Sequence, residues 1–126
     1  MRQTALNMVY ELAKRDPRVV FIGSDLGPDT LKQLKAELPY QFLMEGVSEG
    51  NIVTMAAGLA LEGKIPYINT IATFLTRRCF EQIVLDLDTT DLPADRSVWL
   101  FGRSNRLAAT ALRHETRFVA TPTTWT

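Results

Sequence analysis

Residues Phe42 to Asp88 read FLMEGVSEGNIVTMAAGLALEGKIPYINTIATFLTRRCFEQIVLDLD, and this stretch decides the fold. An apolar run ends at Glu45, the chain turns through Gly46-Val47-Ser48, and a small-residue helix follows with Glu49 in its first turn. Ser48 is placed as an N-cap whose hydroxyl can accept a free backbone N–H. Ile52, Val53, Met55, Ala56, Ala57, Leu59 and Ala60 leave almost no polar face, so the helix is expected to be buried. Glu62-Gly63-Lys64 closes it, with the glycine at the C-cap. A carboxylate at the start of a buried helix is costly unless something pairs with it. Glu49 therefore needs a reason. One is generic: acidic side chains offset the macrodipole at helix N-termini.

Outward from this helix the chain alternates between elements. Ile65 to Ile71 reads as a strand, with Pro66 near its start where a missing N–H costs least. Thr73 opens a helix to about Leu87, for which Phe74, Phe80, Ile83, Val84 and Leu87 are the predicted apolar stripe. Upstream, Thr4 to Arg15 is an amphipathic helix carrying Ala5, Leu6, Val9, Leu12 and Ala13, stopped by Asp16-Pro17. Val19-Val20-Phe21-Ile22 has the unbroken apolar character of a strand covered on both faces. A loop containing Asp25 and Leu26 follows. Asp29 or Thr30 can then cap a helix through Glu37, and Tyr40 to Met44 is the next strand. This βα alternation predicts an α/β fold, a parallel doubly wound sheet flanked by helices. In such sheets ligands bind beyond the carboxyl ends of the strands, where Asp25 lies; a turn or capping role suits that residue equally.

After Asp88 the composition shifts. Arg96, Arg103, Arg106, Arg113 and Arg117 appear without a lysine, amid many threonines. Val98 to Phe101 reads as a strand and Leu107 to Arg113 as a short helix, and residues 93–126 are expected to form an atypical, poorly packed tail. The arginines are too scattered for a nucleic-acid patch.

The whole chain has 126 residues, with 14 basic and 14 acidic side chains. That suits one domain with a modest core and gives no global field to attract nucleic acid or an anionic membrane. No run approaches the roughly 18 apolar residues of a membrane span, and the charged N-terminus is unlike a secretory signal. Cytoplasmic localisation is expected. Cys79 and His114, the one cysteine and one histidine, cannot by themselves build a zinc site. No phosphate-cradling glycine loop is present.

Two segments together, VVFIGSDLG and GVSEGNIVTMAAGLALEGKIPYINTIATFLTRRCFEQI, resemble the pyrimidine-binding domain of the transketolase group of thiamine diphosphate enzymes. The likeness runs from Met1 to about residue 92 and is greatest to the separate C-terminal subunit of split transketolases. In that group the glutamate matching Glu49 hydrogen-bonds a ring nitrogen of the cofactor's aminopyrimidine and promotes the tautomer that deprotonates the thiazolium carbon. The resemblance makes Phe74 the aromatic that stacks on the pyrimidine, although a plain core role is open to it. Ile71 becomes a pocket wall where relatives often carry an aromatic. Asp25 and Leu26 fall on the loop approaching the thiazolium ring. Arg77 matches a position that contacts substrate phosphate in some relatives; a solvated helix charge is an equal reading.

The resemblance further implies two-carbon ketol transfer between sugar phosphates. Thiamine diphosphate and Mg2+ would be held by a partner, the transketolase N-terminal (diphosphate-binding) subunit, in a homo- or hetero-oligomer. The chain would supply half a site and be inactive alone. Deoxyxylulose-phosphate synthase, the beta chain of a 2-oxo acid dehydrogenase, and a non-catalytic remnant or assembly partner are the alternatives. Gly50-Asn51 departs from the Gln or His that many relatives carry after the glutamate. The absent histidine-bearing substrate segment after about Pro93 suggests a truncated or frameshifted end.

Overall fold

The computed structural model describes residues 2–23, 31–88, 98–104 and 117–122. Its elements in chain order are α1 (Arg2–Arg15), β1 (Val19–Gly23), α2 (Lys32–Glu37), β2 (Phe42–Met44), α3 (Glu49–Leu61) and β3 (Ile65–Ile71). A composite helix over residues 74–88 follows, then β4 (Trp99–Ser104) and β5 (Arg117–Pro122). The five strands form one sheet in the order β2-β1-β3-β4-β5, every neighbouring pair parallel. The expected α/β fold with a parallel, doubly wound sheet is the one observed.

Strand β1 shows how the two layers of helices are held. All five of its residues are buried, and its side chains alternate between faces. Val19 and Phe21 pack with Leu6, Val9 and Ala13 of α1 and with Leu31 and Leu34 at α2. Val20 and Ile22 point the other way, into Ile52, Val53, Ala56 and Ala60 of α3 and the inner face of the composite helix. A strand that must be apolar on both sides reads as an unbroken run, which is why VVFI was legible.

Gln41 ties three elements together on the α1 side. Its Nε2 donates to the carbonyl oxygens of Ala13 (2.9 Å), Asp16 (3.1 Å) and Val19 (2.8 Å). The side chain so satisfies the end of α1, the following turn and the start of β1 from the edge of β2. The expected strand over Tyr40 to Met44 is correspondingly shorter. Pro39–Gln41 forms a 3-10 turn, and Tyr40 stands exposed.

Two local expectations need correction. Ser48 does occupy the N-cap of α3, but its hydroxyl donates back to the Glu45 carbonyl (2.9 Å) and caps no helical N–H. The stripe of the composite helix is Leu75, Cys79, Ile83 and Leu87, with Phe80 exposed and Phe74 and Val84 only half-buried. The cause is helical pitch. Wide π-type turns at Phe74–Arg78 and Ile83–Asp88 flank one α-turn, Phe80–Gln82. Buried positions four apart at every step fit turns wider than the 3.6 residues of an α-helix.

The C-terminus of α3 follows its sequence reading. Gly63 adopts φ +88°, its N–H bonds the Ala60 carbonyl (3.0 Å), and the Lys64 N–H bonds that of Leu59 (2.9 Å). This double bond pattern is a Schellman closure. Farther on, Val98 and Leu100 are fully buried at β4, close to the predicted strand. Strand β5 was not anticipated, because Phe118-Val119-Ala120 is too short a run to stand out among polar neighbours. Asp29, Thr30 and the proposed helix over Leu107 to Arg113 lie outside the described residues.

Candidate active site

The direction of the sheet reverses between β1 and β3. From β1 the chain moves outward to β2, returns across β1 through α3, and continues outward from β3 to β4 and β5. In open α/β sheets the crevice at such a reversal, beyond the strands' carboxyl ends, is the usual ligand site. The carboxyl end of β1 is Gly23 and that of β3 is Ile71. Glu45 N–H bonds the Gly23 carbonyl (3.0 Å), which holds the β2–α3 turn against this edge. Gly46 makes the turn possible with φ +66°, a conformation that glycine adopts without strain.

The turn delivers Glu49 to the same edge. Its side chain is only 3% exposed, although it starts a helix. From the composite helix, Arg78 brings Nη1 to 3.3 Å from Glu49 Oε2. The same guanidinium lies over the Phe74 ring, 3.9 Å from its centroid. Glu49, Phe74 and Arg78 thus form one cluster, assembled from the start of α3 and the first turn after β3. The wide turn at Phe74–Arg78 sets the phase that brings both side chains together, and such turns are frequent at functional sites.

Cys79 lies beneath this cluster. It is buried, its Sγ is 3.2 Å from the Phe74 carbonyl, and burial pushes its thiol up to about 11, helped by the nearby Glu49 charge and opposed by Arg78. Gln82, one turn on, packs against Gly50: a β-carbon at Gly50 would stand 3.5 Å from the Gln82 side chain. The buried Gln82 Oε1 has no hydrogen-bond partner among the described residues.

The sequence-derived candidates divide accordingly. Glu49 and Phe74 are joined through Arg78. Ile71 ends β3 with 45% of its surface exposed, at the same edge of the sheet. Arg77 is exposed on the composite helix and has no ion pair among the described residues. Asp25 and Leu26 lie outside the described residues. Sequence reasoning missed Arg78, because two adjacent arginines give no sign of which one turns inward.

A buried carboxylate beside an aromatic face can hold a flat group with N–H donors on its edge. Arg78 demonstrates the fit, since its guanidinium makes both contacts at once. A flat ring with a hydrogen-bonding edge fits the same place. For a metal, no group of three or more His, Cys, Asp or Glu side chains is placed to hold one among the described residues. No helix among them is long and apolar enough to cross a membrane.

Comparison with known proteins agrees with this fold. Residues 1–100 match the family described as transketolase, pyrimidine binding domain. The chain is 33% identical over 88 residues to the 6-deoxy-6-sulfo-D-fructose transketolase subunit SqwH of Clostridium sp. (strain MSTE9), covering 69% of this chain and 27% of that protein. It is 42% identical over 84 residues to the 1-deoxy-D-xylulose-5-phosphate synthase of Synechococcus sp. (strain JA-2-3B'a(2-13)), covering 66% of this chain and 13% of that one. Among solved structures, the inactive beta4 tetramer of a split gene transketolase superposes with a TM-score of 0.70 at 29% identity, over 81% of this chain and 33% of the other. The chain so spans a third or less of each of these relatives. With sheet order and family match in agreement, the chain belongs to the transketolase pyrimidine-binding-domain family.

Proposed function

We propose that this chain contributes the pyrimidine half of a thiamine diphosphate site for two-carbon ketol transfer between sugar phosphates. The observation that carries the proposal is the burial of Glu49 at the carboxyl edge of the sheet, linked through Arg78 to the Phe74 ring. Glu49 would share its carboxyl proton with a ring nitrogen of the aminopyrimidine, Phe74 would stack on that ring, and Ile71 would wall the pocket. Asp25 and Leu26 would approach the thiazolium side, and Arg77, free of ion pairs among the described residues, would reach a substrate phosphate. When bound, the cofactor supplies the acidic thiazolium carbon that attacks the donor ketose. Its diphosphate and Mg2+ would be held by a partner diphosphate-binding subunit, so the isolated chain would not turn over.

Burial favours this reading over the generic helix-dipole role. A dipole-offsetting carboxylate works at the surface and gains little from burial, whereas withdrawing one from water costs several kcal/mol before any partner repays it. A residue kept in that position is better explained by a ligand it must meet dry.

A second reading, synthesis of 1-deoxy-D-xylulose 5-phosphate, is favoured by one observation. Identity to the synthase of that product is 42%, above the 33% to the transketolase subunit. Reconstituting the chain with diphosphate-binding subunits of each type, followed by product identification, separates the two. A transferred ketol product supports the first and 1-deoxy-D-xylulose 5-phosphate the second. A folded chain inert with both would instead be a non-catalytic remnant or assembly partner.

A further inference from the structure

Arg78 occupies the two places that a bound aminopyrimidine would take in the proposed site, against the Glu49 carboxyl and over the Phe74 ring. Its guanidinium is flat, it presents N–H donors along one edge, and its face is a delocalised π system. One Nη1–H reaches Glu49 Oε2 while the guanidinium carbon stands over the Phe74 ring, 3.9 Å from its centroid. A ring stacked on that face of Phe74 would need the same volume, and its hydrogen-bonding edge would need the same carboxyl group. The two occupants exclude one another.

The way Arg78 is held suits a group that leaves. Its contact with Glu49 is at 3.3 Å and to one oxygen, in place of the short, paired bonds of a fork-to-fork arginine–carboxylate bridge. Its side chain is 52% exposed, so it can swing into water without unpacking the core, whereas Glu49 is at 3%. The residues beneath, Leu75 and Cys79, are fully buried and fix the backbone from which it swings. With no ligand bound, the guanidinium also gives the buried carboxylate an opposite charge, which lowers the cost of keeping it there.

We propose that Arg78 is an internal stand-in for the aminopyrimidine, closing the Glu49–Phe74 pair until a planar ring with an amidine-like edge displaces it. The inference rests on the pyrimidine-site reading above. Its consequence is a lowered apparent affinity, because ligand binds only the fraction of molecules in which Arg78 has swung out.

The test uses the full 15N-labelled chain and, as probe, the free aminopyrimidine moiety of thiamine as its hydroxymethyl derivative, titrated by NMR to its solubility limit. In the wild type, binding should return the Arg78 Nε–H resonance, shifted by the Phe74 ring current, towards its position in a solvated arginine. Arg78→Ala should bind the probe roughly threefold or more tightly, by removal of the closed fraction. Arg78→Lys keeps the charge but has no flat face, and should bind more tightly than wild type too. The wild-type side-chain signal and the lysine variant carry the result if Arg78→Ala loses its fold. Equal or weaker binding by both variants overturns the stand-in role while leaving the pyrimidine site in place. So does movement of the α3 amides without movement of the Arg78 signal. Absence of any shift in all three proteins overturns both.

Discussion

Glu49 Oε2 and Arg78 Nη1 lie 3.3 Å apart, one on a side chain 3% exposed and the other on a side chain 52% exposed. The asymmetry separates their roles. The carboxylate is fixed by the fold at the start of α3, whereas the cation reaches it from the solvent side of the composite helix.

The first prediction concerns what Glu49 does for stability. The Arg78 end of the ion pair is half in water, and a pair so exposed contributes little to stability. Glu49→Gln should therefore leave the unfolding free energy within about 0.5 kcal/mol of wild type, or raise it. Urea denaturation measures this. A helix-dipole role would instead show a loss of up to about 1 kcal/mol, diminishing in salt.

Gln41 should be far less tolerant. Its amide donates to three carbonyl oxygens from α1, the turn and β1. Gln41→Ala leaves these partly buried acceptors short of donors, and a loss of about 1–3 kcal/mol is expected. Gln41→Glu should cost more, because a carboxylate brings no N–H and faces three oxygens. Equal effects of the two substitutions would deny the donor role.

Gly63 ends α3 at φ +88°. A β-carbon there meets the following carbonyl, so Gly63→Ala should destabilise by about 1–2 kcal/mol. Gly58, inside the same helix with open space around its α-carbon, gives the contrasting control: Gly58→Ala should stabilise by up to about 1 kcal/mol. Thermal melts of the pair read the difference.

How much of this was legible follows from what each element depends on. Burial on both faces made β1 readable as a strand, and the lack of a polar face made α3 readable as a buried helix. Glu49 stood out because a charge in that helix conflicts with its surroundings. The composite helix was misphased for a different reason. Phe74 and Phe80 look like stripe residues at ordinary pitch, but each wide turn adds part of a residue and moves the inward face to Leu75, Cys79, Ile83 and Leu87. The same shift decides which of Arg77 and Arg78 meets Glu49. Hydrophobic periodicity carries no record of a pitch change that tertiary packing imposes. The Ser48 hydroxyl likewise had two local acceptor or donor choices, and the Glu45 carbonyl won.

Cys79 gives a pH-dependent signature. Burial raises its thiol from the ordinary value of 9.0 to about 11, so on unfolding the thiol becomes the stronger acid. The folded state holds its proton longer, and the stability this contributes is full below pH 9 and falls as pH rises from about 9 to about 11. Denaturation midpoints across that window should decline less in Cys79→Ala than in wild type. Native Cys79 should also resist a thiol-alkylating reagent at pH 8 and react once urea exposes it.

The central claim is that Glu49 acts on a thiamine cofactor held by a partner. Its most direct test mixes the chain with a transketolase diphosphate-binding subunit, Mg2+, thiamine diphosphate and a ketose phosphate donor, and measures ketol transfer. Turnover should need both chains and fall by about 100-fold or more in a folded Glu49→Ala variant, the scale of a lost general acid–base group. Turnover unchanged by Glu49→Ala would contradict it.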